Sequence, residues 1–266
     1  MRHIGSGAGG SLHVNYRYLL KWAHQVAAAN PEARILDYGC GRGQVVRAGR
    51  DAGLNFYGCE MFYEGADTTE DIKALGYYGD IVRPIEGGST GFPDAFFDLV
   101  VNNQVFEHVE NIEETLAEIH RILKPGGLHL SIFPARDVMR EGHIGIPFAH
   151  WFPQNSSVRH TYTKALRKIG FGYTKNDLAP QEWAAENLDW IDKFTVYRPR
   201  REIIRQFERF FHLRLIEEDY IRFRLLTSGG KKAALAPVVR LPLVRQLSEE
   251  AMRRLASMVI LAIKKD

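Results

Sequence analysis

Between Asp37 and Gly43 the chain reads D-Y-G-C-G-R-G, an acid followed by glycines at positions 39, 41 and 43. Glycine lacks a Cβ, so such a loop can turn sharply and bring its main chain against a ligand. A helix starting directly after it would add unpaired N–H groups and a positive dipole end, both suited to an anionic group. The spacing is not that of a dinucleotide site, which requires a third glycine where this chain has Gln44. Glu60 stands 19 residues beyond Gly41, close to the roughly 20-residue offset at which an acid accepts both hydroxyls of a ribose. Further along, His108 lies in "NNQVFEHVE", and His143 and His150 lie in "EGHIGIPFAHWFP". The latter stretch is apolar and aromatic, as pocket walls with a few placed polar groups are. Histidines there suit proton removal from a bound hydroxyl, and equally a helix cap or a hydrogen-bonded place in the core.

The elements that must hold these residues alternate. Tyr16, Leu19, Leu20, Ala23, Val26 and Ala27 repeat with helical spacing. "ARILDY" reads as a buried strand, "GQVVRAGRDAG" as a helix, "LNFYGCE" as a second strand, and "DIKALG" as a short helix. "YYGDI" reads as a weak third strand and "AFFDLVVNN" as a strong fourth. "IEETLAEIHRILKPGG" is a helix stopped by Pro125-Gly126-Gly127, and "LHLSIFP" a fifth strand. Such alternation predicts an α/β fold, a parallel sheet covered on both faces. Beyond Pro134 the rhythm breaks, then resumes with a helix "RREIIRQFERFF", a strand "HLRLIEEDYIRF" and a terminal strand "ASMVILAIKK". Residues 135–200 are therefore read as a helical insertion at the carboxyl end of the fifth strand, where open α/β sheets bind ligands.

D-x-G-x-G-x-G from Asp37 to Gly43 resembles motif I of the class I S-adenosylmethionine-dependent methyltransferases, in their type-11-like branch. "FPDAFFDLVVNNQVFEHVENIEETLAEIHRILKPGGLHLSIFP" is similar to the block joining the fourth and fifth strands of that superfamily. The resemblance covers about residues 33 to 134. It implies a Rossmann-like sheet of seven strands, the last one antiparallel, with helices on both faces. It implies S-adenosylmethionine as cofactor and transfer of its methyl group to a small-molecule or glycan acceptor, with oxygen as the preferred atom. The cofactor contacts it implies are Asp37, Gly39, Cys40, Gly41, Gly43, Glu60 and Met61, then Asp80 and Ile81 in "YGDI", then Asn102 and Asn103. His108, His143 and His150 are the candidate catalytic bases. Related ubiquinone-biosynthesis O-methyltransferases carry E-x-x-E-H, a set able to hold a divalent metal; this chain has Q-x-x-E-H from Gln104 to His108. Loss of one carboxylate weakens a hard-cation site, so no metal is expected. A non-catalytic S-adenosylmethionine-binding protein and a nucleotide-dependent oxidoreductase are the rival readings, the latter disfavoured by Gln44.

Composition sets outer bounds. The 266 residues are 45% hydrophobic and 25% charged, as in ordinary globular proteins, and the formal charge of +3 argues for no nucleic-acid partner. Two cysteines, Cys40 and Cys59, are too few for a disulfide framework, and no apolar run reaches membrane-spanning length. A cytoplasmic protein is expected, with a mobile Gly/Ser-rich segment at 1–11 and a single methyltransferase domain over 12–266. Residues 229–255 mix leucines with Lys231, Lys232, Arg240, Arg245, Arg253 and Arg254, a composition suited to weak contact with an anionic membrane surface.

Overall fold

Short apolar runs form the strands of this chain, and amphipathic stretches form the helices that cover them. The computed structural model describes residues 12–63, 66–173 and 177–265, so the segment expected to be mobile, 1–11, lies outside the described residues. The first half runs α1 (Val14–Ala29), β1 (Arg34–Tyr38), α2 (Gln44–Asp51), β2 (Asn55–Glu60), α3 (Thr69–Ala74) and β3 (Val82–Pro84). There follow β4 (Phe97–Asn103), α4 (Ile112–Ile122), β5 (Leu123–Phe133), α5 (Ser157–Lys168) and α6 (Pro180–Phe194). The chain continues with α7 (Arg200–Phe210), β6 (Phe211–Leu215), α8 (Glu217–Ser228), α9 (Gly230–Ala233), α10 (Pro242–Leu255) and β7 (Met258–Lys264).

The seven strands form one sheet in the order β3-β2-β1-β4-β5-β7-β6. β1 to β5 pair with one another in parallel, and β7 runs antiparallel to both β5 and β6. This is the doubly wound sheet with an antiparallel strand that the resemblance implied. Helices cover both faces. Leu116 and Ile119 of α4 and Ile203 and Phe207 of α7 pack on one side. Tyr18 and Leu19 of α1, Val46 of α2, Ile72 of α3 and Tyr220 of α8 pack on the other. The strand order reverses between β1 and β4, so a crevice opens at their carboxyl ends.

α4 shows how local sequence sets such an element. The Asn111 side chain accepts from the Glu114 N–H, Glu113 and Glu114 occupy the first turn, and His120 and Arg121 the last. Ile112, Leu116, Ile119 and Ile122 recur along one face and are buried against the sheet.

Three elements differ from the sequence reading. "YYGDI" is a turn with an isolated bridge from Tyr78 to Val82, and β3 begins only at Val82. α4 ends at Ile122, and "LKPGG" already belongs to β5, because the backbone ahead of Pro125 favours an extended form. "HLRLIEEDYIRF" is a strand only to Leu215; Glu217, Glu218 and Asp219 form the acidic first turn of α8.

Residues 135–200 contribute no strand to the sheet among the described residues. They hold α5, α6 and a 3-10 turn at Ala149–Trp151, and build an apolar cluster from Ile144, Ile146, Trp183, Leu188 and Ile191. Within 229–255, Arg253 pairs with Glu217, Arg245 with Glu218 and Arg254 with Glu250, while Lys231, Lys232 and Arg240 are exposed. No helix of the described residues is long and apolar enough to cross a membrane.

Candidate active site

The glycine loop leaves the end of β1 and is stitched to β2. The N–H groups of Gly39 and Cys40 both donate to the Cys59 carbonyl, at 2.9 and 3.0 Å. Gly41 has φ +52 and an added Cβ there would meet nothing within 4 Å, so its Cα faces open space. Gly43 has φ +69 and is the N-cap of α2, a helix start that no side chain caps. The close helix–strand packing that a third fingerprint glycine would allow is supplied by Gly49, where a Cβ would stand 2.1 Å from the Phe56 ring. Thr68 fastens the loop from the far side, its hydroxyl donating to the Gly41 carbonyl at 2.9 Å.

Two carboxyl groups converge here. Glu60 accepts from the Gly41 N–H at 2.6 Å through one oxygen and from the Met61 N–H at 2.9 Å through the other. Burial pushes its pKa up to about 7 against the lowering effect of those two bonds. Asp37 is buried, and burial together with the nearby Glu60 charge pushes it up to about 8. Neither acid makes an ion pair among the described residues. Met61 is 53% exposed beside them, whereas the Cys40 thiol is buried in the core and only its main chain borders the crevice.

The other expected contacts divide. Asp80 and Ile81 precede β3, whose Pro84 is the residue that pairs with Glu60, so both lie at the amino end of the strand, away from the crevice. Ile85, donating its N–H to the Glu60 carbonyl, takes the place at the carboxyl edge. The Asn102 side chain is buried in the sheet core, its Nδ2 facing His129 Nε2 at 2.9 Å. Asn103 looks to the opposite face and accepts from Asn15 Nδ2 of α1 at 2.7 Å.

Beyond β4 the chain makes a second polar group. His108 Nδ1 donates to the Phe194 carbonyl at 2.7 Å, and His143 Nδ1 donates to the Glu141 carboxylate at 2.7 Å. The two Nε2 atoms then face each other at 3.3 Å. Glu141 is fully buried and also accepts from the Tyr197 hydroxyl and from the N–H groups of His143 and Ile144. Burial disfavours its charge, but these bonds prevail and hold it below the usual carboxylate range. Burial likewise disfavours a charged His143, yet the Glu141 bond and the Glu141 and Glu107 charges raise its pKa. Glu107 is 1% exposed, and neither of its carboxylate oxygens has a hydrogen-bond partner among the described residues. Burial pushes it up to about 7 despite the neighbouring His143.

Trp190 packs on His143 with ring centres 5.2 Å apart and on Phe194 at 5.4 Å, and Phe194 meets Tyr63 at 5.4 Å. Burial, then the charges of both Glu60 and Glu107, raise the pKa of Tyr63. His150 does not join. It donates from Nε2 to the Arg136 carbonyl at 3.0 Å and packs tilted on the Tyr197 ring, a supporting place behind His143. Trp183 is core, and Gln104 turns its side chain to Ile132 and Ser257 of the β5–β7 edge.

A family model described as "Methyltransferase domain" matches residues 12–209. The chain belongs to the class I S-adenosylmethionine-dependent methyltransferases. Among curated proteins it is similar to a ubiquinone biosynthesis O-methyltransferase of Rickettsia bellii, 27% identical over 145 residues, which are 51% of this chain and 56% of that protein. It is also similar to a squalestatin tetraketide synthase of Phoma sp., 27% identical over 167 residues, 53% of this chain and 6% of that one. The chain thus spans about half the length of the first relative it matches, and a small part of the second. An S-adenosylmethionine-dependent methyltransferase structure from Mesorhizobium loti shares the fold, at 17% identity and TM-score 0.50, over 91% of this chain and 96% of that one.

The crevice of this methyltransferase fits the family's cofactor. S-adenosylmethionine carries an ammonium and a sulfonium, and the buried Asp37 and half-buried Glu60, without cationic partners among the described residues, are suited to receive positive charge. The open space over Gly41 and the uncapped start of α2 suit its carboxylate end. Sequence reasoning about this methyltransferase passed over Thr68, Glu141 and Tyr197, and weighed Glu107 only within Q-x-x-E-H. Glu107 was legible beside His108, and Glu141 two residues before His143; nothing local marks Thr68 or Tyr197.

Proposed function

We propose that this methyltransferase transfers a methyl group to a hydroxyl of a small-molecule or glycan acceptor. The observation that carries the choice of oxygen is the Glu107–His108–His143 cluster, which begins four residues beyond β4, takes His143 from the segment after β5, and is linked to the cofactor edge through Phe194 and Tyr63. In this reading Asp37 and Glu60 bind the cofactor's cationic and ribose portions. The Gly39–Gly43 main chain and the first turn of α2 receive its carboxylate. S-adenosylmethionine supplies a methyl group on a sulfonium, whose sulfur keeps the C–S bonding pair as the acceptor oxygen takes the methyl.

The chain's own task is to align that oxygen and remove its proton. Alignment and exclusion of water contribute up to ~7–11 kcal/mol in favourable cases. The acceptor O–H bond breaks toward the cluster, where a carboxyl near neutrality is matched to proton uptake at working pH. Glu141 and Tyr197 orient His143, and the Phe194 carbonyl orients His108. Residues 135–200 close over the acceptor as a lid within one unit spanning 12–266, with Trp190 and Phe194 as its inner wall. The Rickettsia relative's designation as an O-methyltransferase supports the same acceptor atom.

A panel of phenols, sugars and amines, assayed for S-adenosylhomocysteine and methylated product by mass spectrometry, tests this. Product at oxygen is expected, and Glu107→Gln should lower turnover by ~10²–10⁴-fold with cofactor affinity near normal. Methylation confined to amines, or full turnover in Glu107→Gln, would sink the reading.

A further inference from the structure

We infer that Glu107, His108 and His143 form a binding site for one divalent cation of the zinc type, held by two imidazoles and one carboxylate. One candidate ligand atom from each of the three lies within 4.8 Å of the others. The two Nδ1 atoms are committed to the Phe194 carbonyl and the Glu141 carboxylate, which fixes the tautomers and turns Nε2 of each ring inward. Metal-bound histidines are held in this way, the outer nitrogen donating to a carbonyl or carboxylate.

The inward geometry is also that of ligands. Two nitrogens each ~2.0–2.1 Å from one tetrahedral ion stand roughly 3.3–3.4 Å apart. The observed separation is 3.3 Å. Lone pairs facing one another at that distance repel unless a proton or a cation lies between them. A shared proton would answer the histidines but not the carboxylate of Glu107, buried with both oxygens unpartnered among the described residues. A cation answers all three. Two imidazoles select a borderline ion such as Zn²⁺ or Co²⁺ over Mg²⁺ or Ca²⁺, which prefer all-oxygen shells.

The site shares Glu107 and His108 with the E-x-x-E-H pattern but not its first acid. Gln104 faces the β5–β7 edge, and the third ligand comes instead from the segment after β5. Three protein ligands leave a fourth position open, as catalytic rather than structural zinc sites do. Its role in the reaction rests on the proposed O-methylation: with the ion bound, an acceptor hydroxyl in that position would lose its proton more readily, to water rather than to Glu107, whose carboxylate would then be a ligand. Binding of the ion itself does not rest on that reading.

The test uses full-length protein stripped with a chelator and titrated with Co²⁺, then Zn²⁺, without any acceptor. One Co²⁺ per chain is expected, with the visible absorption bands of a four-coordinate site, displaced by Zn²⁺ and not by a large excess of Mg²⁺. Glu107→Gln and His143→Ala should each weaken uptake by at least ~100-fold, beyond the ~10–100-fold of outer-shell changes. The exposed His24→Ala should bind as the wild type does. Circular dichroism and S-adenosylhomocysteine binding check the fold; should His143→Ala not fold, the isosteric Glu107→Gln decides alone. Absence of stoichiometric uptake by the wild type, or uptake unchanged in Glu107→Gln, overturns the site. Metal uptake with no methylation of any hydroxyl would instead overturn the proposed function and leave the site standing.

Discussion

At the scale of single residues, Asp37 carries the clearest conflict between stability and function. Its carboxyl is buried, and burial with the Glu60 charge pushes it from an ordinary 3.8 up to about 8. An acid whose folded pKa is raised binds more protons folded than unfolded between those two values. Stability from this group therefore falls as pH rises from about 4 to about 8, and the penalty is fully present above that. Asp37→Asn should raise the unfolding midpoint of cofactor-free protein near pH 8.5 by ~2–4 °C for each kcal/mol relieved. The gain should shrink steadily toward about pH 4. The same variant should bind S-adenosylmethionine more weakly, because the acid that destabilises the empty fold is the one proposed to meet its positive charge. Calorimetric scans at several pH values check the first part, and titration calorimetry the second. A midpoint difference independent of pH would show that Asp37 is not held at a raised pKa.

At the scale of elements, legibility followed periodicity and end signals. α4 was readable because Asn111, its acidic first turn and its apolar spacing all agree. α8 was misread as strand because "LRLIEEDYIRF" begins with alternation; its three successive acids were the helix-start signal that should have stopped the strand at Leu215. β3 was misplaced because three residues carry too little pattern to fix a boundary. The meeting of His143 with His108 had no sequence signal, since the two lie 35 positions apart and meet only through the packing of the chain between them. Gly49 was equally silent, one glycine in a helix, yet it sets the spacing of α2 over β2. Gly49→Val should overpack that contact and cost ~1–3 kcal/mol, read as a lower urea midpoint. An unchanged midpoint would mean that α2 can lift from Phe56 without loss.

At the scale of the whole molecule, the α/β alternation gave the parallel half of the sheet, and the placing of β7 came only with the resemblance. Two strands made far apart in the chain, β5 and β6, meet nothing of each other directly; β7 stands between them. Its backbone also returns to α8, where Ile216 donates to the Val259 carbonyl and Glu217, held by Arg253, accepts from the Val259 N–H. During synthesis, residues 258–264 are the last strand of the sheet to emerge. Until they do, β5 and β6 each present an unpaired edge, a template for any neighbouring strand. A nascent chain stalled before Met258 is therefore an incomplete sheet with two open seams, and a version ending at Ser257 should be recovered as aggregate rather than as a loosened monomer.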